Sequence, residues 1–352
     1  MTWMIYGANG YTGRLVAELA VARGHRPLLA GRSGASVRAV AEPLGLDWRA
    51  FGLSQRRAVG AGLDGVDLVA HCAGPFSETY APVLEACLST RTSYLDITGE
   101  IDVLEAALAR NAEAVDAGVA ILPGSGFDVV PTDCLGAMVV ERLPDAARLE
   151  IAFRAGGGMS RGTARTMVAG MAQGGRARMG GVIETVPPGW RRRTVEFATG
   201  PATVTSIPWG DVSTAFHSTG VPEIVTYTQV PGGGAASRVQ ALAAPVSRLP
   251  GVRRVLDAVV ARRVSGPDEQ RRAGSSSQVW ARAETDDGRS VTGVLSTPNG
   301  YALTADSVVR VAERVLAGDV DPGAHTPSRA HGPRFVLELD GVTLHRLDDA
   351  PG

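Results

Sequence analysis

The sequence contains no lysine, so all of its 35 basic residues are arginine. This absence excludes a Schiff-base lysine, the lysine of a phosphate-binding P-loop and the Tyr-x-x-x-Lys pair of short-chain dehydrogenases. Any proton transfer that the protein carries out must therefore use another group.

Cysteine, charge imbalance and long apolar runs are also scarce. The three cysteines form no C-x-x-C pair and the six histidines have no metal-ligand spacing, so neither a disulfide framework nor a metal site is expected. The formal net charge of −1 gives no reason to expect nucleic acid or an anionic membrane as a partner. Because no apolar run approaches the roughly 18 residues of a membrane span, and the first strand begins almost at residue 1, we expect a cytoplasmic protein without a signal peptide or integral membrane segment.

Glycine, in contrast, recurs at a regular spacing near the amino terminus. The apolar residues 3–6 are followed by glycines at positions 7, 10 and 13 and by helix-forming residues 14–23, which predicts a buried strand, a tight turn and a helix. These glycines would let the chain turn, approach a diphosphate and pack the helix close to the strand. The helix amino terminus offers N–H groups and a positive dipole end to the phosphates. A plain strand–turn–helix connection is the alternative, because G-x-x-G-x-x-G is a weaker signal than G-x-G-x-x-G.

A cation stands where the second strand should end. Arg32 follows Gly13 by 19 residues, and no carboxylate lies between Glu18 and Glu42. A free ribose 2′-hydroxyl usually meets an acidic residue at this point, whereas a 2′-phosphate needs a cation. A guanidinium matches phosphate in two parallel bonds and Ser33 can add a hydroxyl, so the sequence predicts NADP(H) as the cofactor. A solvated surface arginine is the alternative.

The rest of the first 142 residues alternates between strands and helices. Strands are predicted at 28–30, 47–51, 66–72, 93–97 and 119–122, and helices at 36–44, 55–63, 78–88, 100–117 and 131–141. This alternation predicts an α/β fold with a doubly wound parallel sheet of the Rossmann type. Ligands of such sheets lie beyond the carboxyl ends of the strands. The predicted cofactor-binding residues are therefore Gly7, Asn9, Gly10, Tyr11, Thr12, Gly13, Arg32, Ser33, Ala73, Gly74, Pro75, Phe76, Gly99, Gly126 and Phe127.

Beyond about residue 149 the pattern changes to short strands, at 149–153, 182–186, 193–197, 202–207 and 223–228, and to a hairpin at 278–283 and 290–295. Helices are predicted at 161–173, 239–263 and 302–316. The second is basic and amphipathic; we expect its apolar face to pack on its own domain, and a membrane-surface helix is the alternative. We expect a Rossmann domain at 1–133, an inserted α+β mixed-sheet domain for substrate and dimerisation at 134–300, and a helix and tail at 301–352 that dock back on the first domain.

Five short motifs occur in order within the first 133 residues: YGANGYTG (6–13), AGR (30–32), CAGPF (72–76), YLDITGE (94–100) and GFDVVPTD (126–133). In these motifs, and more weakly in TPNGYAL (297–303), the chain resembles the saccharopine dehydrogenase/reductase-like oxidoreductases, including their trans-acting enoyl reductase branch. The resemblance implies a Rossmann domain that binds NADP(H), an inserted α+β domain, and hydride transfer to a C=N or C=C bond. Because the chain has no lysine, it departs from the lysine–histidine acid/base pair of the lysine-forming saccharopine dehydrogenases.

Three residues are candidates for the catalytic proton. Asp128 follows the sixth strand and Glu100 follows the fifth, while His217 lies in the second region between predicted strands. Helix capping is the alternative for both carboxylates, and a structural role is the alternative for the histidine. We expect Tyr11 to pack on the adenine side of the cofactor.

These observations predict an NADP(H)-dependent oxidoreductase that reduces a C=N or C=C bond of a small metabolite. The alternative is a catalytically silent NADP(H)-binding regulatory or scaffold protein, because acid/base residues are few. An epimerase or a short-chain reductase would have the same glycine spacing, but its activity would require a lysine that this chain does not contain. An exposed sheet face in the second domain makes a homodimer the expected oligomer.

Overall fold

The computed structural model of this protein describes residues 1–158, 160, 174–229 and 266–350. The helices predicted at 161–173 and 239–263 lie outside the described residues. The chain forms two compact units, one of Met1–Val130 with Tyr301–His331 and one of Pro131–Gly300 with Gly332–Gly352.

The first unit contains a seven-stranded sheet whose strand pairs are all parallel. Its order, β15-β6-β5-β4-β1-β2-β3, includes the 3-2-1-4-5-6 order of a doubly wound dinucleotide-binding sheet. The central strands β1, β2 and β4 are buried along their whole length, as expected for a sheet covered on both faces. The strands are β1 Trp3–Tyr6, β2 Leu28–Gly31, β3 Trp48–Ala50, β4 Leu68–His71, β5 Ser93–Asp96, β6 Ala120–Leu122 and β15 Gly323–Ala324.

The helices, numbered in chain order over the described residues, follow the strands closely. Those of the first part of the chain are α1 Tyr11–Ala22, α2 Gly34–Leu44, α3 Arg56–Gly62, α4 Phe76–Thr90, α5 Ile101–Leu108, α6 Asn111–Ala117 and α7 Val130–Arg142. The later ones are α8 Asp211–Thr219, α9 Glu269–Ala273, α10 Gly300–Ala317 and α11 Pro327–His331, with a 3₁₀ helix at Pro333–Glu338.

The second unit is built on a mixed sheet of nine strands. Its main path runs β10-β11-β12-β7-β13-β14-β16; β12 and β7 are parallel, the other neighbours are antiparallel, and β8 joins β12 to β9. The strands are β7 Arg148–Arg154, β8 Gly175–Met179, β9 Val182–Val186, β10 Arg192–Phe197, β11 Gly200–Ser206, β12 Glu223–Thr228, β13 Ser276–Glu284, β14 Ser290–Pro298 and β16 Thr343–Leu347.

Helix α7 packs against the second sheet where small residues leave room. A Cβ atom added at Gly293 of β14 would lie 2.8 Å from the Leu135 side chain, and one added at Gly136 would lie 3.2 Å from Ile151. The absence of these two side chains lets the helix approach the strands closely. The predicted fold class, a Rossmann sheet with an α+β mixed-sheet second part, is confirmed.

Several elements differ from the prediction. The helix expected at 100–117 is divided into α5 and α6. At the division, the Arg110 N–H donates to Ala107 O and the Asn111 side chain accepts the N–H of Ala324 in β15. Strand β8 and helix α8 were not predicted. Residues 332–352 group with the second unit, since β16 pairs with β14.

Among the described residues, none of the helices combines the length and hydropathy needed to cross a membrane. The described ranges also hold no group of three or more His, Cys, Asp and Glu side chains placed to bind a metal ion.

Candidate functional site

The turn after β1 requires glycine for steric reasons. Gly7 has a φ of +87°, and a Cβ atom there would lie 2.8 Å from the backbone nitrogen of Ala73. The Gly7 N–H donates to Ala30 O at 2.8 Å, and Gly10 N–H donates to Gly7 O at 2.9 Å. The turn is therefore held between the ends of β2 and β4, as the glycine spacing predicts.

Helix α1 begins against this turn without a side-chain cap. A Cβ atom at Gly13 would lie 2.4 Å from Gly7 O, so glycine permits the close packing of helix on turn. The N-cap residue Gly10 has no capping side chain, and the first turn of α1 has no acidic residue. Thr12 in this turn is half-buried, and the positive end of the helix has no negative side chain from its own first turn.

The end of β2 carries a cation. Arg32 is exposed and makes no ion pair with any residue in the described part of the chain. Its charge is felt by Tyr6, whose pKa is raised by burial and partly lowered again by Arg32. Ser33 caps α2 by accepting the N–H of Ser36 at 3.4 Å. The side-chain oxygen of Asn9 lies 3.0 Å from where a Gly31 Cβ would be, so Asn9 borders the same strand end.

The turn after β4 is held from beneath by Thr79. Its hydroxyl donates to the carbonyl oxygens of Ala73 and Pro75, at 2.7 and 3.0 Å, next to the cis peptide between Gly74 and Pro75. Burial lowers the pKa of His71 to about 3, so the ring is neutral and its Nε2–H donates to Thr79 Oγ1 at 3.1 Å. These contacts fix residues 73–76 at the sheet edge.

Glu100 is held in a capping interaction with the helix after the neighbouring strand. Its two carboxylate oxygens accept the N–H groups of Phe76 at 2.7 Å and Ser77 at 2.9 Å. Its own N–H donates to Thr98 Oγ1 at 3.1 Å. The carboxylate therefore fills the amino terminus of α4, which is one of the two roles that the sequence left open.

Asp96, the last residue of β5, was missed by the sequence analysis. Its buried carboxylate accepts hydrogen bonds from the Tyr94 hydroxyl at 2.7 Å and from the N–H groups of Thr98 and Gly124, each at 2.9 Å. Burial raises its pKa to about 6, against the lowering effect of these hydrogen bonds. The carboxylate connects the ends of β5 and β6 through these hydrogen bonds. The sequence signal for this residue was an acidic side chain at the end of an otherwise apolar strand.

Asp128 lies beside the end of β5 as well as that of β6. A Cβ atom at Gly99 would lie 2.9 Å from Asp128 Cβ and 3.1 Å from its Oδ2. Desolvation by burial raises the pKa of Asp128 to about 7, and its carboxyl group makes no hydrogen bond with the described residues. Near neutral pH this group is divided between its protonated and ionised forms, as a group that exchanges a proton should be.

The remaining predicted residues divide between the units. Gly126 and Phe127 lie in the turn before α7, and the Phe127 N–H donates to Thr304 Oγ1 at 3.0 Å. Tyr11 meets Tyr301 edge to face, with ring centroids 4.8 Å apart. His217 belongs to the second unit, in α8, with its ring 6.0 Å from that of Phe216. All the other predicted site residues lie at the carboxyl edge of the first sheet.

This combination of strand order, glycine turn and uncapped α1 defines a dinucleotide-binding domain of the Rossmann type. Residues 3–122 match the family model described as the saccharopine dehydrogenase NADP binding domain. This part of the chain is therefore similar to the NADP-binding domain of that family. The match confirms the resemblance seen in the motifs and the predicted cofactor.

Curated relatives match a little over a third of the chain. A trans-acting enoyl reductase of Mycobacterium leprae is 34% identical over 138 residues, which cover 37% of this chain and 33% of that protein. Its counterpart in Mycobacterium tuberculosis is 33% identical over 138 residues with the same coverage. The chain thus matches about a third of the length of these relatives.

A solved structure matches over nearly the whole length. Apo histidine-tagged saccharopine dehydrogenase (L-Glu forming) from Saccharomyces cerevisiae has a TM-score of 0.66, covers 99% of each chain and is 13% identical in sequence. At this identity the likeness shows that the two proteins share a fold.

Proposed function

We propose that this protein is an NADP(H)-dependent oxidoreductase that transfers hydride to a C=N or C=C bond of a small metabolite. The observation that carries the proposal is an α1 amino terminus without a side-chain cap, together with Arg32, which makes no ion pair with the described residues at the end of β2. An anion of two connected parts, a diphosphate and a 2′-phosphate, would satisfy both. The NADP-binding domain at 3–122 and the enoyl reductase relatives support this reading.

The residues present fit the cofactor. Gly7 and Gly13 leave out side chains that would meet backbone atoms, which keeps the turn flat against the strand ends. Gly10, Tyr11 and Thr12 would border the diphosphate, which moves Tyr11 from the adenine side expected from the sequence, and Arg32 with Ser33 would border the 2′-phosphate. The turns at 73–76, 99 and 126–127 would line the remainder. When bound, NADPH supplies two electrons as a hydride.

Reduction also requires one proton, and we assign Asp128 to it. The O–H bond of the protonated carboxyl breaks as the proton passes to the imine nitrogen, or to the carbon beside the carbonyl of an enoyl substrate. The carboxylate then recovers a proton from solvent, so one hydride and one proton are added in total. Glu100 holds the 73–76 turn through α4, which makes it a positioning residue. His217 stays a second candidate for the proton.

The double bond that accepts the hydride is either C=N or C=C in this proposal. The relatives named as enoyl reductases favour C=C, but they match about a third of their length. The absence of lysine counts against the lysine–histidine pair of saccharopine oxidation. We therefore propose both acceptor classes, and a homodimer as the assembly, to be tested by sedimentation.

The test has two stages. NADPH and NADH are first titrated into the purified protein, and the absence of any NADPH binding would overturn the proposal. NADPH deuterated at the pro-R position of nicotinamide C4 and, in a parallel sample, at the pro-S position is then incubated with an enoyl thioester, or with an α-keto acid and an amine. Deuterium in a reduced product supports the oxidoreductase and identifies the acceptor class. Tight binding without transfer to either acceptor would instead support the silent regulatory or scaffold protein.

A further inference from the structure

The start of α10 lies against the dinucleotide site, although it is about 180 residues beyond the matched NADP-binding segment. Tyr301 contacts Tyr11, the first residue of α1, edge to face at 4.8 Å between centroids. Both tyrosines are half-buried. The ring of Tyr301 therefore lies next to the residue that directly follows the glycine-rich turn.

Further contacts connect α10 with the carboxyl end of α1 and the residues just after it. Asp306 pairs with Arg23 at 2.6 Å, and Glu313 lies 2.7 Å from His25 Nε2. In these two contacts and in the tyrosine pair, residues that come later in the segment 11–25 contact residues that come later in α10. The two helices thus run parallel, and their amino ends lie at the same edge of the first sheet.

The first turn of α10 also reaches the end of β6. Thr304 Oγ1 accepts the Phe127 N–H at 3.0 Å, and a Cβ atom at Gly126 would lie 3.0 Å from Thr304 Cγ2. One helical turn therefore connects the turn after β1 with the turn that carries Asp128. In the 3-2-1-4-5-6 order, β1 to β3 serve the adenosine half of a dinucleotide and β4 to β6 serve the nicotinamide half.

Resting on the proposed function, we infer that Tyr301 is a further cofactor-binding residue, which contacts the diphosphate and nicotinamide half of NADP(H). Thr304 is a positioning residue that fixes the Gly126–Phe127 turn. A rigid ring supplies contact area at small cost in conformational entropy, and Tyr11 holds its orientation. The adenosine end, with its 2′-phosphate near Arg32, lies on the other side of β1 and does not involve Tyr301.

Calorimetric titration of two ligands tests this inference. NADPH contains both halves of the site's ligand, whereas 2′,5′-ADP contains only the adenosine end. Since an aromatic contact is worth about 0.5–1.5 kcal/mol, Tyr301→Ala should raise the Kd of NADPH about three- to tenfold and change that of 2′,5′-ADP less than about twofold. Tyr301→Phe, which keeps the ring, should bind both ligands like the unmodified protein.

Matched variants separate this effect from a structural one. Tyr80→Ala removes the same side chain from α4, where it packs on the core, and should leave the Kd of NADPH unchanged. Arg32→Ala should weaken both ligands. Tyr301→Leu keeps an apolar side chain but removes the ring, so it should raise the Kd of NADPH as Tyr301→Ala does. It replaces the alanine variant if that variant does not fold.

Three outcomes are distinguishable. Selective loss of NADPH affinity supports the inference. Unchanged NADPH binding in the Tyr301 variants, or an equal loss for both ligands, overturns it while leaving the proposed function intact. Failure of the unmodified protein to bind NADPH overturns the proposed function itself.

Discussion

The carboxylate of Glu100 accepts a hydrogen bond of 2.7 Å from the backbone N–H of Phe76, the first residue of α4. The other carboxylate oxygen takes the next N–H, at 2.9 Å. The loop after β5 thus neutralises the helix after β4. In α1, the N-cap residue Gly10 has no capping side chain and the first turn has no acidic residue. In the proposed function, the helix amino terminus beside the glycine-rich turn is the one that receives a phosphate.

Replacing Glu100 with alanine should destabilise the protein and loosen the cofactor turn. Loss of a helix cap costs about 1 kcal/mol, with a range of about 0.5–2 kcal/mol, so the free energy of unfolding should fall by this amount in urea titrations. The affinity for NADPH should fall as well, because the 73–76 turn loses its restraint. Glu42→Ala, which removes an exposed carboxylate paired with Arg38, should change stability by less than about 0.5 kcal/mol. Equal stabilities of the two variants would contradict the capping role.

Gly13→Ala should abolish tight NADPH binding and lower stability. Its methyl group would lie 2.4 Å from Gly7 O and 2.9 Å from Gly7 C, both backbone atoms that can move only if the turn moves. Overpacking of this kind costs about 1–3 kcal/mol, which differential scanning calorimetry would detect. The matched variant is Gly60→Ala in α3, where a Cβ atom meets nothing within 4 Å. That change should stabilise the helix by up to about 1 kcal/mol and leave NADPH binding intact.

Arg32→Asp should reverse the preference between NADPH and NADH. The variant loses a charge-assisted bond to the 2′-phosphate, worth about 1.5–3 kcal/mol, and gains an acceptor for a free 2′-hydroxyl. The ratio of the two dissociation constants should therefore change by at least about tenfold in fluorescence titrations. Arg26→Asp makes the same charge change just before β2, at the opposite end of the strand, and should leave the ratio unchanged. An unchanged ratio in the Arg32 variant would remove this residue from the site.

The stability of the protein should depend on pH through Asp128. Burial raises the pKa of this carboxyl from its ordinary value of 3.8 to about 7, so the folded state holds the proton more tightly than the unfolded state. The stability that it contributes is complete below about pH 3.8 and is lost as the pH rises through about 7. Between about pH 5 and 8, the wild type should lose on the order of 1–2 kcal/mol more than Asp128→Asn in urea titrations.

The same group should shape the pH dependence of turnover. Reduction by the wild type should slow above about pH 7, where Asp128 loses its proton. Asp128→Asn should lower kcat about a hundredfold or more and remove this limb of the profile. His217→Gln is the comparison for the second candidate. Full turnover in both variants would mean that neither residue handles the proton.

Much of the first unit was predictable because its signals are local. The strands at 3–6, 28–31 and 68–71 are short apolar runs, and the glycines at 7, 10 and 13 mark the turn between β1 and α1. The same reasoning located strands β9 and β12 at their observed bounds in the second unit. Local patterns failed where partners are distant in sequence: at the break between α5 and α6, the Asn111 side chain accepts the N–H of Ala324 in β15.

The amino-acid sequence by itself determined the class of the first domain and its cofactor, and it predicted the edge of the sheet at which that cofactor would bind. Strand periodicity, glycine spacing and the sign of one charge are properties of residues close together in the sequence, so they can be recognised without knowing the fold. Only the tertiary structure decided that Glu100 caps the helix of another strand, that Asp96 joins β5 to β6, and that Tyr301 stands beside Tyr11. These contacts join residues 24, 28 and 290 positions apart, and a separation of that size is closed only when the chain has folded.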